Sequence, residues 1–481
     1  VPSNTYDLVV LGDDLAALVC ATLCARRGMR TLVLGQDHPS RYALGPHKLP
    51  IEPLLWPVGQ GSPGDRVLKE LHAEMALRRK LREPKIAAQL VAPDLRMDLG
   101  AERMAGELAR EVGDDAEASL AHWNKARETA RLVDPLLASE HAFPGVGFFE
   151  RRDVAKLTET AQAAADAWWE QAKSDPRAPL WLRLAVIATR HPAPPPIAIV
   201  RALDAWQAGP PALRGEGDTI RELLVEKLTT AGGELRAGKV TEASVSWSKL
   251  ASLTLATGED LGCGQVVTSQ TPGTIAEVLG KKAPKKLVDA AEDVAIVGYR
   301  YTLNVVIDEA GIPEHMAPTV AVLDDQPFSI HLGETDDAGR VVATIATVLP
   351  TDGPVDADRL PPKLTALRAG LWKRLGEVMP FFEKHLVLAH SPFEATPPHV
   401  PGGRGSYDVP RNLPLAMTPV WKGSLGYTTG LKNLTLTGDQ VLPDLGVEGA
   451  LASGWSAAKV ACALAGKKKD YLRDEVVGAA G

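Results

Sequence analysis

Tyr6-Asp7-Leu8-Val9-Val10-Leu11-Gly12-Asp13-Asp14-Leu15-Ala16-Ala17 decides the fold. An apolar run of six residues reads as a buried parallel strand. Gly12-Asp13-Asp14 is a turn signal. Leu15 to Arg27 is rich in Ala and Leu and reads as a helix, with Gly28 placed to end it. Thr31-Leu32-Val33-Leu34 supplies a second apolar strand. Strand, tight turn, helix and strand make a βαβ unit, which demands a parallel sheet and a right-handed crossover.

Working outward, residues 65–172 read as mostly helical, with breaks near Pro135 and at Phe143-Pro144-Gly145. Leu180 to Trp206 is apolar around the proline knot 192–196. Thr219 to Ala231 is an amphipathic helix followed by Gly232-Gly233 and short strands, ending with Gln265 to Ser269. From Tyr299 the pattern alternates, and Tyr301, Leu303, Val305 and Ile307 predict a half-buried antiparallel strand. Strands near Ala321 and Val341 to Val348, a helix over Leu364 to Val378, and a loop over 397–414 follow. Leu434 to Thr437 reads as a strand and Val447 to Ala465 as a helix capped by Gly466.

The fold class is therefore α/β with an α+β part: a Rossmann-like domain split along the chain, a helical insertion, and a mixed sheet. The expected parts are 1–64, 205–285 and 419–481 for the nucleotide-type domain. Residues 65–204 form the helical insertion and 286–418 the second sheet. The 481 residues, 45% hydrophobic and 23% charged, suffice for such large cores.

A net charge of -7 gives no basic stripe, so a nucleic-acid partner is not expected. Cys20, Cys24, Cys263 and Cys462 form no CxxC pair and stand beside no histidine cluster, so no metal site is expected. So few cysteines suit a reducing, cytoplasmic setting. No uncharged apolar run reaches the length of a bilayer span, and no leader is read at the N-terminus.

Three stretches carry a resemblance. They are YDLVVLGDDLAALVCATLCARRGMRTLVLG (6–35), GEGDTIRELLVEKLTTAGGELRAGKV (215–240) and NLTLTGDQVLPDLGVEGALASGWSAAKVA (433–461). In order and spacing they resemble the FAD/NAD(P)-binding oxidoreductase superfamily of the phytoene desaturase, protoporphyrinogen oxidase and amine oxidase type. The resemblance implies an FAD cofactor. It implies that Gly438-Asp439 meets a ribityl hydroxyl and that Gly446-Val447 opens a helix toward the flavin pyrimidine edge. It places Val240 at a backbone contact to adenine.

The N-terminal fingerprint departs from that family. Gly12 and Ala17 hold the first and third small-residue positions, but Asp14 stands at the second, where a glycine normally lets pyrophosphate approach. A carboxylate about 5 Å from a phosphate is repelled by roughly 3 kcal/mol at an effective dielectric of 20. Asp13 or Asp14 also suits a plain helix cap. The strand-end acid that would hold a ribose is Gly35. Asp37 lies two positions on, and Arg41 follows where the family pattern is absent. Together these changes weaken dinucleotide binding by about three orders of magnitude at ~1.4 kcal/mol per decade.

No catalytic acid, base or nucleophile is legible. Trp421 and Tyr427 precede the flavin motif and are candidates for a substrate pocket, with core packing as the plain alternative. His331, Ser269 and Gln270 read as structural. Leu180 to Val200, with Trp181, Leu182, Leu184, Val186 and Ile187, suits either a buried helix or a peripheral membrane contact. Two functions follow. One is an FAD-dependent oxidoreductase acting by hydride transfer on an apolar, isoprenoid-like or lipid substrate. The other is a non-catalytic relative that has lost FAD and binds a protein partner or a lipid. The intact Gly438-Asp439 and Gly446-to-Gly449 segment favours the first, and Asp14 with Gly35 favours the second.

Overall fold

A computed structural model describes residues 4–467 apart from 37–38, 55, 57–61, 83, 101, 138, 140, 293–294, 357–358, 395–396, 402–406 and 411–415. Asp37 and part of the 397–414 loop therefore lie outside the described residues.

The opening strand is β1 (Asn4–Leu11), buried from Leu8 to Leu11. It leads through Gly12 into α1 (Leu15–Arg26), whose residues Ala16 to Ala25 are all buried, and then into β2 (Thr31–Leu34). A helix on one face of a parallel sheet needs apolar residues on both layers, and these segments supply them. Farther along come α2 (Glu216–Thr230), β3 (Glu234–Arg236) and β4 (Asp260–Thr268). Last come β5 (Leu434–Leu436) and α3 (Gly446–Leu464).

The parallel order is β3-β2-β1-β4-β5, with Leu8 to Leu11 opposite both Thr31 to Leu34 and Gln265 to Thr268. Strands Val240–Ser246 and Lys249–Leu255 extend the sheet antiparallel from the start of β4. The order reverses at β1, so the crevice outside the ends of β1 and β4 is the topological switch point where such sheets take ligands.

A second sheet is mixed. Ile296–Asp308 pairs antiparallel with Arg340–Pro350 over its full length, with Tyr301 opposite Thr347 and Asn304 opposite Thr344. Leu386–His390 and Pro419–Trp421 pair along its other edge. The far side continues through Phe328–Leu332, Thr319–Val322, Ala88–Ala92 and Leu95–Leu99. The Ala88–Leu99 hairpin corrects the all-helical reading of 65–172. Its strands are only five residues each; Ala88 to Ala92 suits either period, and the period-two alternation shows only over Leu95 to Leu99. The strand expected to be half-buried is buried on both faces from Tyr301 to Ile307, because elements far away in sequence cover both sides. Pro135 does not break its helix; it sits inside Ala116–Leu137.

The insertion packs that helix against Phe148–Ala172, Ala178–Thr189 and Pro196–Ala208. Trp181, Leu184 and Ile187 are buried there, with the Trp181 ring 6.1 Å from that of Trp168. Three of the apolar residues of the 180–200 stretch are thus core, while Leu182 and Val186 are half-buried.

Candidate functional site

Gly12, Asp14, Ala17, Ser269, Gly438 and Asp439 gather at the switch point. Asp14 has extended backbone and its carboxylate accepts from the Ala17 N–H at 3.1 Å, so it is the N-cap of α1. The surrounding protein raises this carboxyl above the usual carboxylate range. Hydrogen bonds from Ser269 and the Ala17 N–H oppose the rise, and the charges of Asp439 and Asp13 add to it. Three carboxylates, those of Asp13, Asp14 and Asp439, thus lie close enough to interact at the switch point.

Asp13 is ion-paired with Arg221 of α2. Its carboxylate also occupies the space beside Gly35, since a β-carbon built on Gly35 lies 3.4 Å from Asp13 Oδ2. The next residue, Gln36, is buried with a positive φ of 56°. Its Oε1 accepts the Val240 N–H at 3.1 Å. That N–H is the group the family resemblance assigns to adenine, and here a side chain of the chain itself holds it. Arg41 pairs with Asp218.

At the other end, Asp439 Oδ2 accepts from Arg300 at 2.6 Å. Arg300 comes from the second sheet and also lies 3.6 Å from Glu52. Glu52 pairs with Arg190 at 2.8 Å and accepts from Thr418 at 2.6 Å. Burial pushes the Glu52 carboxyl up, but the two guanidiniums outweigh it and hold it below the usual range. The chain of charges Arg190, Glu52, Arg300 and Asp439 joins the two domains. It leaves Asp439 committed.

Helix α3 begins at Gly446 as expected, but its start is covered. A β-carbon on Gly446 would lie 2.9 Å from Thr189 Cα, at the end of an insertion helix. One on Gly449 would collide with the Leu442 carbonyl, and one on Gly454 with the Ala16 carbonyl of α1. Gly449 and Gly454 are required by packing, and Gly446 by packing together with its positive φ of 55°. Glu448 is held by Arg201 in two hydrogen bonds of 2.9 and 2.5 Å, and Arg201 also meets Asp134 at 2.5 Å. Val447 packs against the main core.

The two pocket candidates separate. Trp421 is buried in its strand and its carbonyl meets His191 Nε2 at 3.2 Å. Tyr427 is buried with its hydroxyl donating to the Phe143 carbonyl at 2.6 Å, and it lines a cavity of about 320 Å³ away from Asp14 and Gly35. His331 hydrogen-bonds Ser329 at 2.7 Å. Among the described residues no cluster of His, Cys, Asp and Glu could hold a metal ion, and no helix is long and apolar enough to cross a membrane.

Tested against FAD, these residues do not fit the adenosine and pyrophosphate half. The Val240 N–H, at the residue the resemblance assigns a backbone contact to adenine, is held by Gln36. Gly35 brings no carboxylate for a ribose and has Asp13 in van der Waals contact beside it. Asp14 carries a side chain at the second glycine position of the fingerprint. Gln36, Arg221, Arg190, Glu52 and Arg300 were missed in the sequence. The one available signal was Gln36 and Arg300, polar residues set at the end of, or inside, apolar strands.

No family model and no curated protein matches the chain. Solved structures do. An oxidoreductase from Methanosarcina mazei aligns with TM-score 0.60 at 14% identity, over 93% of this chain and 99% of that one. An engineered putrescine oxidase aligns with TM-score 0.53 at 12%, over 96% and 99%. A Rab GDI from Plasmodium falciparum aligns with TM-score 0.51 at 11%, over 95% and 98%. Flavoenzymes and a non-enzyme thus share this architecture along nearly its whole length, and the chain has the fold of the FAD/NAD(P)-binding oxidoreductase superfamily.

Proposed function

We propose that this chain is a cofactor-free member of the fold that works by binding an apolar ligand, lipid or protein partner, rather than by flavin chemistry. The observation that carries the reading is the buried hydrogen bond from the Val240 N–H to Gln36 Oε1, at the residue the family resemblance assigns a backbone contact to adenine. Asp13 beside Gly35 and Arg300 on Asp439 act in the same direction. Losing several charge-assisted contacts at about 1.5–3 kcal/mol each removes most of what holds a dinucleotide.

The alternative, an FAD-dependent oxidoreductase of apolar or isoprenoid-like substrates, drew on the glycines from 446 to 449. Those glycines have packing reasons independent of any cofactor. A Rab GDI with the same architecture offers a precedent for the fold without catalysis, by analogy only.

The test is to purify the full chain, record its visible spectrum, and dialyse it against excess FAD. A colourless protein that takes up no flavin supports the reading. Stoichiometric flavin absorbance after either step refutes it.

A further inference from the structure

The cavity lined by Tyr427 has a charge pattern that the cofactor question does not touch. Its walls are the 144–146 segment, the 424–428 segment, Arg151 and Lys286, around about 320 Å³. Arg151 sits one turn into the helix Phe148–Ala172. Lys286 opens the helix Lys285–Glu292 and donates to Thr428 Oγ1.

The two cations share the cavity, and among the described residues neither has a carboxylate partner. The nearest acid along the chain, Glu150, is committed to the Gly147 N–H at 3.2 Å. Burial and the Arg151 charge both hold the Lys286 ammonium below its ordinary range. Lys281, Lys282 and Lys285 stand exposed just before Lys286. In a chain of net charge -7, such a cluster departs from the surface average. Two like charges facing one cavity repel, and an anion between them removes the repulsion and gains charge-assisted hydrogen bonds.

Beside this cavity stand Phe148 and Phe149, 79% and 70% exposed, with their rings edge to face at 5.5 Å. Phe148, Arg151 and Arg152 share one helix face by their spacing of three and four. An exposed aromatic pair next to cations suits an anion that carries acyl chains.

We propose that Arg151 and Lys286 form a binding site for a phosphate group, supplied by a phospholipid headgroup or by a soluble phosphate. The full chain is titrated calorimetrically with inorganic phosphate at constant ionic strength. It is also co-sedimented with vesicles of phosphatidylcholine, with and without phosphatidic acid. The variants are R151Q/K286Q and F148S/F149S, all at exposed positions, with melting temperature checked against the parent.

The expected result is about a tenfold or greater loss of phosphate or phosphatidic-acid binding in R151Q/K286Q. Sedimentation only with phosphatidic acid, lost in both variants, assigns the lipid source. Phosphate binding without sedimentation, unchanged in F148S/F149S, assigns the soluble source. Binding of neither probe, or equal binding by R151Q/K286Q, overturns the proposal.

Discussion

Gln36 and Val240, 204 positions apart, are joined by a buried hydrogen bond of 3.1 Å between the Gln36 side-chain oxygen and the Val240 N–H. Gln36→Leu keeps the side-chain size and removes the acceptor. The Val240 N–H is then buried and unpaired, which costs about 1–3 kcal/mol. Urea unfolding should show a lower midpoint with an unchanged slope.

Restoring the family fingerprint at 14 and 35 alone is expected to fail. Gly35→Glu places a new carboxylate against that of Asp13, with the β-carbon already 3.4 Å from Asp13 Oδ2. The repulsion, reduced by solvent, is about 1–2 kcal/mol. The D14G/G35E protein should melt below the parent and stay colourless with FAD. Asp14→Gly also removes the N-cap of α1, and Asp13→Ala the pair with Arg221. The repulsion is therefore isolated by a double-mutant cycle of Gly35→Glu and Asp13→Ala in the D14G background; a cycle without coupling would place the strain elsewhere.

Among the described residues Arg201 is the only cationic partner of Glu448, and it also serves Asp134. Arg201→Met leaves two carboxylates facing a largely buried gap. Breaking a buried pair from one side costs about 3–5 kcal/mol. Calorimetry should record a large fall in melting temperature, and Arg201→Leu/Glu448→Leu should be milder than Arg201→Met alone.

Gly454 and Gly106 make a matched pair. A methyl at 454 meets the Ala16 backbone, whereas one at 106 meets nothing within 4 Å. Gly454→Ala should destabilise by about 2–3 kcal/mol through forced separation of α1 and α3. Gly106→Ala, inside the helix Met104–Val112, should stabilise by about 0.5–1 kcal/mol. Thermal melts of the two variants with opposite signs check the packing account.

His331 gives a pH dependence. Burial, with the Arg190 charge behind it, pushes its imidazole from 6.5 down to about 3. Below pH 6.5 the unfolded chain binds the proton and the folded one does not. Stability present above 6.5 is therefore lost as the pH falls from 6.5 toward 3. Comparing urea midpoints across that range with His331→Gln should flatten part of the slope.

Much of the architecture was legible because its signals are local. The run from Tyr6 to Leu34 needs only apolar periodicity and one glycine turn, and β1, α1 and β2 follow it within two residues. The Ala88–Leu99 hairpin was not read, since its strands are only five residues each and the alternation is clear only in the second, Leu95 to Leu99. At the site, Asp14 as a helix cap was readable from spacing alone. The roles of Gln36 and Arg300 were not, because each is defined by a partner more than a hundred positions away. The packing that Gly446 and Gly454 meet was likewise not legible, because it comes from Thr189 and Ala16, far away in the chain.

The crossing of α1 and α3 bears on how the chain is born. Cys24 of α1 and Cys462 of α3, 438 positions apart, meet with their sulfurs 3.8 Å from each other. Until α3 leaves the ribosome, the flank of α1 that α3 covers stays open, although α1 is made about 420 residues earlier. Strand β5, which closes the parallel sheet beside β4, emerges almost as late. The nascent chain must therefore carry an uncovered apolar helix face from α1 until α3 is made, a natural client for a holding chaperone. A nonsense mutation anywhere before β5 would release a product with that one face of α1 still open.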